Sequence, residues 1–213
     1  MREIYSSHQR NYKKNHAGTS KWELPMTAKN IRLYVQQSLT PQVTLDKDQS
    51  HYLVSVMRVK SCDQVRVFNS ADGEFMATVS DAHKKACVLD IQQQLRKPEP
   101  EPQLHLYFSP IKSHRLTYLI EKAVEVGATH LHPVICQHTQ FPKLNLDKIS
   151  KQVIEAVEQC GRLHVPQVTE PQPLATTLES LTHPLIVCDE RRNAKSILDL
   201  DLPAAFTCRF DRV

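Results

Sequence analysis

Glycine is the scarce residue of this chain: 213 residues contain only 4, and Gly18, Gly73, Gly127 and Gly161 all stand alone. A loop that wraps phosphate uses residues without a Cβ, so that backbone N–H groups can approach the ligand. Neither GxGxxG nor GxxxxGK(S/T) can be written here, which excludes the two commonest nucleotide-binding fingerprints. No apolar run approaches the roughly 18 residues of a membrane helix, and the polar start lacks the apolar stretch of a secretory signal. The expectation is a cytoplasmic protein with no membrane partner. No CxxC pair links the 6 cysteines, so they read as reduced thiols packed as small buried residues. A GxSxG elbow is also missing, which argues against a serine hydrolase.

The 40% hydrophobic content suits one medium domain or two small ones, each with a core. Of 27 basic residues, Arg2, Arg10, Lys13, Lys14 and Lys21 crowd into the first 25 positions, leaving a nearly neutral body. RNA binding must therefore rest on where individual Lys and Arg lie, not on total charge. Residues 1–25 show no helical or strand period and are expected to form a flexible tail, with Met26 as an alternative translation start.

From Ile31 short β-forming runs follow one another: IRLYV (31–35), QVRVF (64–68), EFMATV (74–79) and ACVLDI (86–91). They predict a small β-barrel. Between them SHYLVSVMR (50–58) spaces Leu53, Val56 and Met57 as on a short helix that presents Arg58 at its end. KPEPEP (97–102) has Pro at every second position and predicts an extended linker between domains. Beyond it strands alternate with helices. LHLYF (104–108), LHPVI (131–135) and LIVC (185–188) flank one helix ending at Gly127 and another running from Asn145 to Gly161, the pattern of a parallel sheet with helices packed on it.

Several side chains stand where chemistry could occur. Lys112, His114 and Arg115 follow a predicted strand and open a helix, where they either meet a phosphate or form a solvated helix start. Glu121 and Glu125 lie four apart, as paired acid and base groups or as a plain helix edge. Arg162, just past a helix end, either holds a phosphate bidentately or satisfies helix carbonyls. His130, His132, Cys136 and His138 match no zinc spacing, and no metal is expected.

Taken in order, IRLYV, SHYLVSVMR, DQVRVFNSADGEFMATV, YFSPIKSHRLTYLIEKAVEVGATHLHPV and EAVEQCGRLHVP resemble the RsmE family, ribosomal RNA small subunit methyltransferase E, over about residues 30–203. The resemblance implies an α/β chain: a PUA-like RNA-binding barrel over 26–96, a linker over 97–102, and a partial SPOUT-type domain over 103–213. It implies a homodimer that transfers a methyl group from S-adenosylmethionine to N3 of one uridine in 16S rRNA of the small subunit. N3 becomes electron-rich only as its proton leaves, so a base or a cationic pocket is needed. By resemblance Arg32 and Arg58 face RNA on the barrel, and Lys112 and Arg115 lie near the substrate backbone. Glu125, Gln159 and Arg162 surround the reacting base, and Val187 and Cys188 lie beside the cofactor.

The family continues after AAF into a GPEGGF loop and an LGxRILRxETA segment that form the trefoil knot and most of the cofactor pocket. This chain reads TCRFDRV instead. The expectation is a C-terminally truncated copy lacking its final strands. The alternatives are a catalytically inactive RNA-binding remnant and a nonfunctional product.

Overall fold

Alternating apolar side chains fold the first half of the chain into a curled five-stranded sheet. The structure is a computed structural model that describes residues 31–182, 184–188 and, for the backbone, 206–210. The expected tail over 1–25 and the start at Met26 lie outside them. β1 (Arg32–Tyr34), β2 (Gln42–Thr44), β3 (Gln64–Asn69), β4 (Gly73–Asp81) and β5 (Val88–Arg96) lie in the order β1-β3-β4-β5-β2. Leu33, Val65, Val67, Ala77, Val79 and Leu89 point inward to a buried cluster completed by Leu53. Register shifts along the β4–β5 pair bend the sheet around that core. The β3–β4 turn needs glycine at its end: Gly73 has φ +95, and a Cβ there would meet the Arg96 carbonyl oxygen at 2.2 Å.

The helix predicted over 50–58 is displaced. α1 (Lys47–His51) starts earlier, because the Asp46 carboxylate accepts the Gln49 N–H at 2.8 Å as an N-cap. A π-turn over Tyr52–Val56 follows, closed by Met57 N–H donating to the Tyr52 carbonyl at 2.9 Å. This wider turn breaks the expected period, so Leu53 is buried while Val56 is 59% exposed. Arg58 then leaves the turn in the left-handed region, with φ 56.

After an extended stretch over 97–103 the grammar becomes parallel α/β. β6 (Leu104–Phe108), α2 (Ser113–Glu125), β7 (His130–Ile135), α3 (Leu146–Cys160), β8 (Gln167–Val168), β9 (Gln172–Pro173), α4 (Leu174–Glu179), β10 (Leu185–Cys188) and β11 (Phe206–Phe210) follow in sequence. The strands run in the order β10-β11-β6-β7-β8, all pairs parallel, with β9 also on β7. Leu106, Phe108 and Leu131 on one face pack against Leu116 and Ile120 of α2 and Ile149 and Val153 of α3. Asn145 caps α3 by accepting the Lys148 N–H at 2.9 Å, and Gly161 ends it at φ 80.

One expectation is corrected here. The sequence leads one to expect a sheet that lacks its final strands. Instead the backbone of β11 lies inside the sheet, hydrogen-bonded between β6 and β10. Its position depends on a crossover, which leaves no local sequence signal. The cysteines also differ from expectation: among those described only Cys87 is buried, while Cys62 and Cys160 are exposed.

The sheet's second face carries His105 and Tyr107 of β6 beside His130 and His132 of β7, paired in register. The His105 and His130 rings stack at 4.1 Å, those of Tyr107 and His132 at 4.4 Å, and His105 Nδ1 lies 3.0 Å from His132 Nε2. Burial first, then the neighbouring His105 and His130, push the His132 imidazole down from 6.5 to about 4. The unfolded chain therefore takes up this proton before the folded one as pH falls. Stability is intact above the ordinary value of 6.5 and declines through the window down to about 4. Allowing for solvent screening of a partly exposed ring, unfolding free energies from urea titrations at pH 7 and pH 5 should differ by about 1–2 kcal/mol, and His132→Gln should flatten that limb. Equal midpoints for the unaltered chain would show that these rings stay solvated.

Candidate functional site

Register brings the carboxyl ends of three strands together: Cys188 pairs with Phe210, and Phe210 with Phe108. In open parallel sheets ligands bind in the crevice beyond such ends. Val187 is 49% exposed there, and Cys188 is half-buried. The loop after β6 is held by Ser109 Oγ, 2.9 Å from Thr139 Oγ1, and Thr139 Oγ1 also accepts the Cys136 N–H at 2.8 Å. It delivers Lys112 as the residue before α2 and Arg115 into its first turn, both exposed. Cations there oppose the helix dipole, so the fold gains nothing from their placement at this helix start.

Glu125, Gln159 and Arg162 stand at the other edge. A helix that follows a parallel strand runs back along it, so the C-terminal ends of α2 and α3 lie at the amino ends of the strands. The Arg162 guanidinium joins those two ends: its Nη1 donates to the carbonyls of Val124 at 2.8 Å and Ala128 at 2.9 Å. Nη2 pairs with Glu101 of the linker. Of the two roles open to Arg162 in the sequence, the structure therefore adopts the satisfaction of helix carbonyls. The resemblance places it beside a reacting base; here its guanidinium is taken up by protein groups. Glu125 is exposed and bonded through both oxygens to Lys122 Nζ at 2.8 Å, as on a solvated helix edge. Gln159 is exposed and lines a cleft between α3 and the curled sheet.

Arg32 is also corrected. Instead of facing RNA it is 8% exposed, with its guanidinium 3.5 Å above the Phe68 ring. Nε donates to Glu74 at 2.9 Å, Nη1 to the Val157 carbonyl at 2.8 Å and Nη2 to the Arg162 carbonyl at 2.6 Å. Desolvation lowers its pKa, and Glu74 opposes that shift. Arg96 Nη1 reaches the Gly161 carbonyl at 2.7 Å, and the Tyr34 N–H donates to Glu158 at 2.9 Å. Two arginines of the curled sheet thus cap the C-terminal end of α3, where cations complement the dipole. Sequence reasoning missed Glu74, because a single carboxylate in a β-forming run carries no sign of burial. Arg58, expected on an RNA-facing surface, is exposed.

Among the described residues no group of three or more His, Cys, Asp or Glu is arranged to hold a metal ion, and no helix is long and apolar enough to cross a membrane.

A curled β unit joined to a parallel α/β unit with exposed cations just beyond a strand end defines a class, and comparison with known proteins agrees. Residues 97–207 match the RNA methyltransferase domain model, and residues 45–92 match the RNA methyltransferase PUA domain model. The ribosomal RNA small subunit methyltransferase E of Rickettsia conorii is 30% identical over 168 residues, covering 78% of this chain and 69% of that protein. Its counterpart in Buchnera aphidicola is 24% identical over 153 residues, and the chain spans 61% of its length. The fold resembles the crystal structure of a ribosomal RNA small subunit methyltransferase E from Neisseria gonorrhoeae bound to S-adenosyl methionine. That match has TM-score 0.74 at 22% identity, over 85% of this chain and 78% of that one. A methyltransferase of Legionella pneumophila in complex with SAM gives 0.75 at 22%, over 86% and 79%. The chain is an RNA methyltransferase-family protein of α/β fold with a PUA-like unit. Within that class it belongs to the ribosomal RNA small subunit methyltransferase E family.

Proposed function

We propose that this chain transfers a methyl group from S-adenosylmethionine to N3 of a uridine in 16S rRNA of the small ribosomal subunit, acting in the cytoplasm. The similarity to the Rickettsia protein carries the proposal, because it runs through both units. The crevice at the carboxyl ends of β6, β10 and β11 fits the cofactor by its place in a parallel sheet, with Val187 and Cys188 as the residues that would hold it. S-adenosylmethionine supplies an electrophilic methyl group on a sulfonium. Lys112 and Arg115 at that edge hold the RNA backbone, and Arg58 extends the contact onto the PUA-like unit, which begins before the linker at 97–102. In this reading Gln159 and Glu125 act on the base, Gln159 as a hydrogen-bonding partner of uracil and Glu125 as an acceptor of the N3 proton once RNA displaces Lys122.

Those two residues sit at the edge opposite the cofactor crevice of their own chain. A homodimer that sets the amino edge of one protomer against the carboxyl edge of its partner would complete the site, and this is the physical reason to expect one.

Transfer of tritium from labelled S-adenosylmethionine to small subunits with an unmodified target tests the function. The expected result is saturable incorporation recovered as N3-methyluridine. Lys112→Ala with Arg115→Ala should raise KM for RNA about tenfold and leave KM for the cofactor unchanged. RNA binding without incorporation at saturating cofactor would show a remnant rather than an enzyme.

A further inference from the structure

The connections that leave β6 and β7 are tied to each other twice. Ser109 Oγ lies 2.9 Å from Thr139 Oγ1, which also accepts the Cys136 N–H at 2.8 Å, so the loop over 136–145 is pinned to the loop that opens α2. Further along, Gln152 Nε2 of α3 donates to Thr117 Oγ1 of α2 at 2.9 Å. Both helices follow parallel strands and run in the same direction. This bond therefore sets Lys148, one turn before Gln152, at the level of Ser113, one turn before Thr117. The first turns of α2 and α3 form one surface with the loop 136–145 at its rim.

That surface has an excess of positive charge. Positions 109–115 and 136–148 hold Lys112, Arg115, Lys143 and Lys148 against the single carboxylate of Asp147. All four cations are exposed, and among the described residues none of them takes part in an ion pair. The two carboxylates of α2, Glu121 and Glu125, are both held by Lys122. α2 also begins without a side-chain cap, so its first N–H groups add partial positive charge to the same edge.

One aromatic ring stands among these charges. Phe141 is 40% exposed in a stretch without regular structure, and Pro142 after it holds its backbone extended. The ring is carried between the pinned Thr139 and the Asn145 cap of α3, so little freedom remains to be lost when a partner covers it. An acidic peptide meets the charge alone. Single-stranded nucleic acid meets both features, since every base offers a π-face beside a phosphate.

We propose that the β7–α3 connection is a further RNA contact, in which one unpaired base stacks on Phe141 and the adjoining phosphates lie against Lys143 and Lys148. The inference rests on the RNA-methyltransferase reading and extends the substrate path from Lys112 and Arg115, across the pinned loops, onto α3. Stacking is sequence-tolerant, so Phe141 grips a nucleotide near the target rather than selecting the target.

Fluorescence anisotropy of the full chain with a labelled oligouridylate of about ten nucleotides tests it. Phe141→Ala, at an exposed loop position, should weaken binding about tenfold at an unchanged salt slope, and Phe141→Trp should restore it. Lys143→Ala with Lys148→Ala should weaken binding about tenfold at low salt and reduce the salt slope by about 1.4, the value for two phosphates of a single strand. Leu178→Ala removes a comparably exposed apolar side chain from α4 and should bind as the unaltered chain does. If Phe141→Ala and the double lysine variant bind normally while the unaltered chain methylates small subunits, the contact is overturned and the function reading stands. A Phe141→Ala variant that binds RNA normally but loses self-association in sedimentation also overturns it, and assigns the ring to an interface between copies. The expected losses of binding in a chain that methylates nothing keep the contact and remove the enzyme. If the unaltered chain binds no oligouridylate, the contact falls whatever its activity.

Discussion

Glu74→Ala should cost about 3–5 kcal/mol in urea unfolding followed by circular dichroism, a large part of the stability of a domain this size. The carboxylate is 2% exposed and answers three guanidiniums, of which Arg32 is itself buried. Its removal leaves Arg32 as an uncompensated charge in a poorly solvated place. Glu74→Gln should lose less, since the amide oxygen still accepts from Arg32 Nε. A double variant, Glu74→Leu with Arg32→Met, should recover only part of the loss. Exchanging a buried ion pair for apolar residues is often neutral, but here Arg32 also serves the Val157 and Arg162 carbonyls, which a methionine would leave unpaired. A loss below about 1 kcal/mol for Glu74→Ala would mean that water reaches the pair and that the junction is held by other contacts.

This junction shows where the sequence is readable and where it is not. Helices α2 and α3 follow from local rules: apolar residues three and four apart, an Asn cap, and a glycine at each end. Strands β3 to β7 follow from β-branched runs and from the Asn69–Gly73 turn, where the Asn69 side-chain oxygen accepts N–H bonds from Ala71 at 3.0 Å and Asp72 at 2.6 Å. β11 does not, because its place comes from threading between distant strands. Arg32 and Arg162 illustrate the same limit for site residues. Each looks like a free cation in sequence, yet its partners are carbonyls 125 and 38 residues away. Long-range burial decides between a ligand contact and a helix cap, and no spacing encodes it. The place of Lys112 and Arg115 at the helix start is legible for the opposite reason, since it depends only on the local strand-to-helix step.

Arg162→Ala is the substitution that separates those two roles. Its guanidinium, 12% exposed, spans the Val124 and Ala128 carbonyls and the Glu101 carboxylate, so it ties α2, the start of β7 and the linker together. Truncation should cost about 2–4 kcal/mol, as charge-assisted bonds to buried carbonyls are lost together. Arg162→Lys should restore little, because a single ammonium cannot serve three acceptors in different directions. Below the melting range, where the variant remains folded, its affinity for small-subunit RNA should match that of the unaltered chain, since Arg162 faces protein groups. The opposite pattern, an unchanged urea midpoint with methyl transfer reduced about a hundredfold, is what a cation beside the reacting base would give. It would require Arg162 to leave all three protein partners when RNA binds, a rearrangement that would first have to break the bonds closing the end of α2.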